Sequence, residues 1–160
     1  MQIHQIPQLR KPVAVLAFNG WNDAGEAATG VISHLMNCWG IQENLIAESS
    51  SEDYYDYQQI RPTVFVDNSR IRRLTWPSTK VFAVLTPQLE FDLVVVRGPE
   101  PSFRWPTFCD ELLDLFDDLE VDLVLTLGAL LADAPHTRRI SVSGSSARSE
   151  EHTSELQSPC

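Results

Sequence analysis

The fold class is decided by residues 13–40, which read VAVLAFNGWNDAGEAATGVISHLMNCWG. This stretch opens with an uninterrupted apolar run, Val13–Phe18, which is typical of a strand buried on both faces. Apolar residues then recur at three- and four-residue spacing, as they do along one face of a helix. Those positions are Ala24, Ala27, Ala28, Val31, Ile32, Leu35, Met36 and Trp39. The pattern predicts a strand–loop–helix unit over residues 13–39.

The loop Gly20-Trp21-Asn22-Asp23 joins this strand to this helix. Because ligands of open parallel sheets bind beyond the carboxyl ends of the strands, we expect the loop to lie on the working face of the domain. Asp23 precedes Glu26 by three residues, which resembles a capping box at the positive end of a helix. Asp23 is therefore expected to cap the helix, and Trp21 to shape the crevice beside it.

Strand and helix patterns continue along the chain. The further predicted elements are strands at Lys80–Leu85, Leu93–Arg97 and Val121–Leu127, and a helix from Pro106 to about Leu119. Thr63–Val66 and Arg70–Trp76 flank the turn residues 67–69, which predicts a β-hairpin. Strands that alternate with helices imply parallel pairing through right-handed crossovers, with the hairpin as an insertion or an antiparallel edge. The predicted fold class is α/β, a mainly parallel sheet with flanking helices and a β-hairpin insertion.

The predicted helix at residues 106–119 separates apolar from acidic residues. Its inward side chains are Phe108, Leu112, Leu115, Phe116 and Leu119. Its other face carries Asp110, Glu111, Asp114, Asp117 and Asp118. A run of charge at this spacing is typical of a solvated surface.

Composition and charge exclude several classes of protein. The 160 residues carry a formal charge of −10, which argues against nucleic-acid binding, because neutralising phosphates requires clustered Lys and Arg. The basic cluster Arg70, Arg72 and Arg73 is expected to be a solvated strand edge. No apolar run is long enough to cross a membrane, and residues 1–11 hold no signal-peptide core, so a cytoplasmic protein without membrane contact is predicted.

The three cysteines are Cys38, Cys109 and Cys160. They form no CxxC or other ligand pattern, so neither a metal site nor a disulfide framework is predicted. Cys38 and Cys109 are placed among apolar helix residues and are expected to be core thiols.

Residues 148–160 are predicted to be an artefactual, non-native tail. They have no helical or strand period, and through Gln157-Ser158 they match the conceptual translation of a common sequencing adapter. The tail holds one Arg and three Glu, so residues 1–147 carry −8 of the −10. Residues 1–147 are then the N-terminal part of an α/β domain that is incomplete at its C-terminus.

Three loops are predicted at the carboxyl edge of the sheet, each with a glycine where the backbone turns. The candidate binding residues are Gly20, Trp21, Asn22 and Asp23 in the first loop, Arg97, Gly98, Glu100 and Arg104 in the second, and Gly128, Asp133, His136 and Arg138 in the third. Asp23, Glu100 or Asp133 would suit a general base, and His136 a proton-transfer group. The loops match no phosphate-binding, dinucleotide-binding or nucleophile-elbow motif. No catalytic residue, metal or cofactor is therefore predicted.

Four ordered motifs resemble the proteasome assembly chaperone 2 family in its actinobacterial form. They are Phe18–Ala28, Glu52–Asp56 with Arg61-Pro62, Arg97–Pro101 with Arg104-Trp105, and Leu127–Asp133 with Pro135–Arg138. The resemblance covers roughly residues 10–147. It implies an α/β fold similar to nucleoside phosphorylases, protein partners that include proteasome subunits, and self-association into homo-oligomers, without established catalysis.

Two functions stay open from the sequence. The first is an assembly-chaperone-like module for protein–protein interaction, with Tyr54, Tyr55 and Tyr57 in its interface, since tyrosine is enriched in interfaces. The second is a small-molecule binding protein, or a hydrolase- or phosphorylase-like enzyme, that takes a nucleoside-like or anionic ligand in the strand-end crevice. The family resemblance and the missing catalytic set favour the first.

Overall fold

The computed structural model describes residues 1–39, 43–67, 70–133, 135 and 137–146, together with the backbone of 154–156. Met1–Leu130 and Leu131–Cys160 form two compact units, which are described separately. The predicted turn residues Asn68 and Ser69 lie outside the described residues.

The first unit contains eight strands and three helices among its described residues. The strands are β1 (Gln2–Ile3), β2 (Val13–Asn19), β3 (Asn44–Glu48), β4 (Thr63–Val66), β5 (Arg72–Thr75), β6 (Lys80–Val84), β7 (Leu93–Pro99) and β8 (Leu123–Leu127). The helices are α1 (Ala27–Trp39), which follows a 3₁₀ turn at Ala24–Glu26, the short α2 (Ser51–Tyr54) and α3 (Trp105–Asp118). None of the described helices is long and apolar enough to cross a membrane.

Six of these strands form one mixed sheet, in the order β1-β3-β6-β7-β2-β8. The central strand β2 is parallel to β7 on one side and to β8 on the other, which confirms the predicted parallel pairing through the α3 crossover. The remaining pairs, β7 with β6, β6 with β3 and β3 with β1, are antiparallel, so the sheet is mixed and not mainly parallel as predicted. Strand β6 reverses direction because only residues 85–92 join it to β7, and a parallel crossover needs a dozen or more residues.

Helices cover both faces of the sheet, as the two-residue period of the strands requires. Ala14 and Leu16 of β2 pack on one side with α3 and the tyrosines at the end of α2. Val15 and Ala17 pack on the other side with α1. Residues that alternate along one strand thus belong to different cores, and both faces of β2 are apolar for that reason.

The two long helices fit their predictions unequally. All five predicted inward residues near α3, Phe108, Leu112, Leu115, Phe116 and Leu119, are buried. Helix α1 buries a narrower stripe than predicted, Ala28, Ile32 and Met36, and Val31 is exposed. Cys38 and Cys109 are also exposed, so the prediction of core thiols is wrong. Each lies one or two positions from a buried residue, which rotates it off the inward face of its helix.

The hairpin prediction is confirmed as an insertion. Strands β4 and β5 pair antiparallel with each other in a two-stranded sheet of their own, separate from the six-stranded sheet. The second unit contains a short antiparallel pair, β9 (Val142–Gly144) with β10 (Ser154–Leu156). The artefactual nature of residues 148–160 stays a prediction from their sequence.

Candidate functional site

The loop after β2 and the loop after β8 are joined by backbone hydrogen bonds. Ala129 N–H donates to the carbonyl of Asn22, and Ala24 N–H donates to the carbonyl of Ala129. The N···O distance is 2.9 Å in both hydrogen bonds. This continues the parallel pairing of β2 and β8 beyond their ends. A Cβ on Gly128 would lie 2.8 Å from the amide of Asn22, so glycine permits the close approach. The structure therefore brings Gly20–Asp23 and Gly128 together at the ends of β2 and β8.

Asp23 caps helix α1, through a different geometry from the predicted capping box. Its Oδ1 accepts from the N–H groups of Ala28 (2.7 Å) and Thr29 (3.2 Å), and its Oδ2 accepts from the Thr29 hydroxyl (2.5 Å). The 3₁₀ turn at Ala24–Glu26 separates Asp23 from the helix, so the carboxylate reaches five and six residues ahead instead of three. The N–H of Asp23 donates to the carbonyl of Gly20 and not to Glu26.

These hydrogen bonds also determine the charge of Asp23. Burial acts to raise the pKa of Asp23, but the hydrogen bonds from Thr29 and Ala28 outweigh it and hold the pKa below its ordinary value. The carboxylate is thus ionised, buried and fully engaged by the helix. It is a poor candidate for the general base that the sequence left open.

The end of β7 depends on a close backbone contact with the start of β6. Gly98 has φ +148°, and a Cβ there would lie 2.6 Å from Cα of Thr79 and 2.7 Å from the carbonyl of Ser78. The neighbouring Arg97 pairs with Glu43 at 2.5 Å and lies 4.8 Å from the centroid of the Phe82 ring. Arg97 and Gly98 therefore have structural roles in this loop.

A buried network of hydroxyl groups holds the same loop. The Tyr55 hydroxyl donates to Oγ1 of Thr79 at 2.8 Å and lies 2.9 Å from the Ser49 hydroxyl. The Thr79 hydroxyl in turn donates to the carbonyl of Pro99 at 2.7 Å. Because the members come from the ends of α2, β3, β6 and β7, the network locks four segments into one position. Sequence reasoning missed it, since Ser49 and Thr79 carry no local signal of a shared site.

The predicted tyrosine interface is wrong for two of its three residues. Tyr54 and Tyr55 are 2% and 3% exposed. Tyr54 donates to Oε2 of Glu111 at 2.6 Å, and burial, followed by that hydrogen bond, raises the pKa of Tyr54 to about 12. Glu111 is half-buried, so one residue of the predicted solvated face of α3 instead accepts a hydrogen bond from a buried tyrosine. Tyr57 is also half-buried, with its ring 4.8 Å from that of Trp76.

The other predicted site residues are dispersed. Arg104 adopts φ +55° at the start of α3, and its guanidinium pairs with Asp53 at 3.0 Å. Glu100 is half-buried after β7. Asp133 and Arg138 are exposed in the second unit, where the N–H of Arg138 donates to the carbonyl of Pro135. His136 lies outside the described residues. Within the described part of the chain, no three potential ligands gather in a metal-binding arrangement.

Exposed apolar side chains line the carboxyl edge of the parallel strands. Trp21, which follows β2, is 84% exposed, so it does not pack into a crevice. Leu130 follows β8, and Phe103 and Trp105 follow β7; all three are exposed large apolar residues. Since β7, β2 and β8 are parallel neighbours, these residues share one edge of the sheet, which we call the aromatic edge.

The model of the PAC2 family matches residues 17–159. The chain belongs to the PAC2 family. The match confirms the resemblance indicated by the four motifs, and it includes the loops of the aromatic edge. No protein with curated annotation matches the chain.

Solved structures of actinobacterial proteins share this fold. A PAC2 family protein from Streptomyces avermitilis is 46% identical, with a TM-score of 0.75 over 86% of this chain and 58% of that one. The proteasome-assembly chaperone homologue from Mycobacterium tuberculosis is 39% identical, with a TM-score of 0.72 over 88% of this chain and 65% of that one. A Corynebacterium glutamicum protein of unknown function is 25% identical, with a TM-score of 0.75 over 90% of this chain and 55% of that one. The chain thus spans less than two thirds of the length of these relatives.

Proposed function

We propose that this chain is the α/β part of a proteasome-assembly-chaperone-like protein that binds protein partners through its aromatic edge. The observation that carries the proposal is Trp21, a tryptophan 84% exposed at the carboxyl end of the central strand. A side chain of this size left in water is costly unless a partner covers it, and Trp is among the residues most enriched in interface hot spots.

The partner class follows from membership of the family. The relative from Mycobacterium tuberculosis is described as a proteasome-assembly chaperone homologue. Proteasome subunits are accordingly the partners we propose for the whole protein, in the cytoplasm. The acidic charge of the chain suits a partner with basic surface around an apolar pocket.

The alternative of an anionic or nucleoside-like ligand has weaker physical support. A helix N-terminus attracts anions through its free N–H groups. At α1 those of Ala28 and Thr29 already donate to Asp23, and that of Ala27 donates to the carbonyl of Ala24. An incoming anion would therefore meet an ionised carboxylate and not free donors.

The proposal is tested by measuring binding of the whole protein to its cognate proteasome subunits. We expect Trp21→Ala to weaken binding at least tenfold, because truncating a hot-spot residue costs about 2 kcal/mol or more. Val31→Ala, an exposed apolar residue on α1, is the matched control and should leave the affinity unchanged. Equal binding by the Trp21→Ala variant and the unmodified protein, or no binding by either, would refute the proposal.

A further inference from the structure

The β4–β5 hairpin presents an apolar face to water. Val64 lies directly opposite Leu74, and Val66 lies directly opposite Arg72, so these four side chains share one face of the ribbon. Val64, Val66 and Leu74 are 62%, 54% and 53% exposed. We call this surface the hairpin face.

A ribbon of this kind needs a covering partner. An isolated two-stranded hairpin is marginally stable in water, and independent stability requires a third strand or packing against a helix. Within the described residues, β4 and β5 join no other strand, and the ring contact between Tyr57 and Trp76 lies at their base. The hairpin face is therefore a surface whose burial would stabilise the hairpin itself.

The charge of the hairpin is opposite to that of the rest of the chain. Residues 61–76 hold four arginines and one aspartate, a net +3, in a chain of total charge −10, which leaves −13 elsewhere. Arg70 and Arg72 are exposed, and no ion-pair partner is seen for either among the described residues. Pairing of two hairpin faces would bring two charges of +3 together, so charge disfavours a symmetric hairpin–hairpin contact.

Helix α3 carries a surface of complementary character. Trp105, Cys109 and Leu113 are exposed and recur every four residues, which forms an apolar column on the outer side of the helix. Asp110, Asp114 and Asp118 are exposed and form the adjacent acidic column. We call the two columns together the α3 face.

We propose that the hairpin face of one copy of this chain docks on the α3 face of a second copy. Val64, Val66 and Leu74 cover the apolar column, while Arg72 and Arg70 meet the acidic column. Each copy carries both surfaces, so the contact is head-to-tail and generates a closed ring or an open chain of copies. The inference does not depend on binding to proteasome subunits, although the α3 face and the aromatic edge adjoin at Trp105, which belongs to both.

The first test is the mass of the whole protein in solution, by light scattering and analytical ultracentrifugation across protein concentration. We expect self-association that weakens with added salt, since exposed charge pairs are screened. Leu74→Asp should weaken it at least tenfold, because it places a carboxylate against the apolar column, beside the acidic one. Val31→Asp, at an equally exposed apolar residue of α1, should not. A monomer at all concentrations, or association that Leu74→Asp leaves intact, overturns the proposal.

Charge reversal tests the pairing itself. Arg72→Glu and Asp114→Arg should each weaken association, and the double variant should recover it, because every copy carries both partners of the swapped pair. If Arg72→Glu strengthens association, hairpins pair with each other and the proposal is wrong. If the double variant does not recover, another surface is the partner and the proposal is equally wrong.

A cross-link gives a readout that does not depend on affinity. In a Leu74→Cys variant treated with copper–phenanthroline as oxidant, we expect a disulfide-linked species of two or more chains. Cys109→Ser should abolish it, and Cys38→Ser, which removes the other exposed thiol of the described residues, should not. Loss of the cross-link with Cys38→Ser in place of Cys109→Ser would refute docking on α3.

Discussion

Arg10 and Asp92 form a two-point ion pair that fastens the N-terminal segment to the core. Nη2 of Arg10 lies 2.7 Å from Oδ1 of Asp92, and Nε lies 3.2 Å from Oδ2. The same carboxylate accepts from the N–H groups of Thr86 and Arg10, each at 2.9 Å. Asp92 itself is buried, so all of its stabilisation comes from these donors.

This pair predicts a stability that depends on pH. The hydrogen bond from Arg10 lowers the pKa of Asp92 to about 2. Burial acts to raise this pKa, and the two N–H groups help to lower it. Because the folded pKa is depressed, the contribution of Asp92 is complete above about pH 4 and is lost as pH falls through about 2. We expect Asp92→Asn to lower the free energy of unfolding by about 2–3 kcal/mol at pH 7.

Urea denaturation from pH 7 downwards would measure this, and the difference between the two proteins should shrink below about pH 4. Asp122→Asn, at an exposed carboxylate, serves as control and should change stability by less than about 0.5 kcal/mol. A deficit of Asp92→Asn that stays constant down to about pH 2 would contradict this assignment.

The cap of α1 gives the second prediction. Asp23→Ala removes the acceptor for the N–H groups of Ala28 and Thr29 and for the Thr29 hydroxyl, so it should destabilise the fold by about 1–2 kcal/mol. Asp23→Asn keeps one acceptor oxygen and should lose less. Since the pKa of Asp23 is lowered in the fold, this stabilisation is present above its ordinary pKa and is lost on acidification. In thermal unfolding at neutral pH, we expect the unmodified protein to be the most stable, the Asp23→Asn variant intermediate and the Asp23→Ala variant the least stable. Equal stability of all three proteins would exclude a capping role.

The close approach at Gly98 gives the third prediction. Gly98→Ala places a methyl group 2.6 Å from Cα of Thr79, so the backbone there would have to shift, and it does so at a φ that disfavours side chains. We expect a loss of about 2–4 kcal/mol in the free energy of unfolding. Gly30→Ala is the matched control, because a methyl group added there, inside α1, would have no heavy atom within 4 Å. It should instead gain about 0.5–1 kcal/mol from helix propensity.

The hydroxyl network gives the fourth prediction. Tyr55→Phe removes one hydroxyl from the contacts with Ser49 and Thr79, both of which are buried, and should cost about 1–2 kcal/mol. Tyr57→Phe removes a hydroxyl whose contact with Ser51 is longer, at 3.2 Å, on a half-buried ring. It should change stability by less than about 0.5 kcal/mol. Chemical denaturation of the two variants would measure both changes. If the Tyr55 ring contributes only by packing, the Tyr55→Phe and Tyr57→Phe variants should lose equally little stability.

Local patterns predicted much of the fold. The β2–α1 unit, α3 and the hairpin were predictable because their apolar periods and turn residues lie within a few residues of one another. The alternation of strands and helices suggested parallel strands, but β6 is antiparallel to β7 because the connection between them is too short for a parallel crossover.

The candidate site was less predictable, since its partners are distant in the sequence. Tyr54 and Tyr55 looked like surface residues in an acidic segment, yet both are buried. Tyr54 donates a hydrogen bond to Glu111, and Tyr55 donates one to Thr79. Trp21 looked like a crevice residue, but the pairing of Asn22 with Ala129 directs the loop along the sheet and leaves the indole in water. Such pairings carry no local signal that a single sequence reveals.

The position of β2 in the sheet has a consequence for synthesis. This apolar strand leaves the ribosome before both of its neighbours, β7 and β8, which come from much later in the chain. At typical rates of about 5–20 residues per second, β2 waits roughly 5–20 s before β8 can join it. Newly made chains therefore expose an unpaired apolar strand for seconds. A fold from a family named for assisting assembly is thus itself slow to complete, and it is vulnerable to aggregation while it is being made.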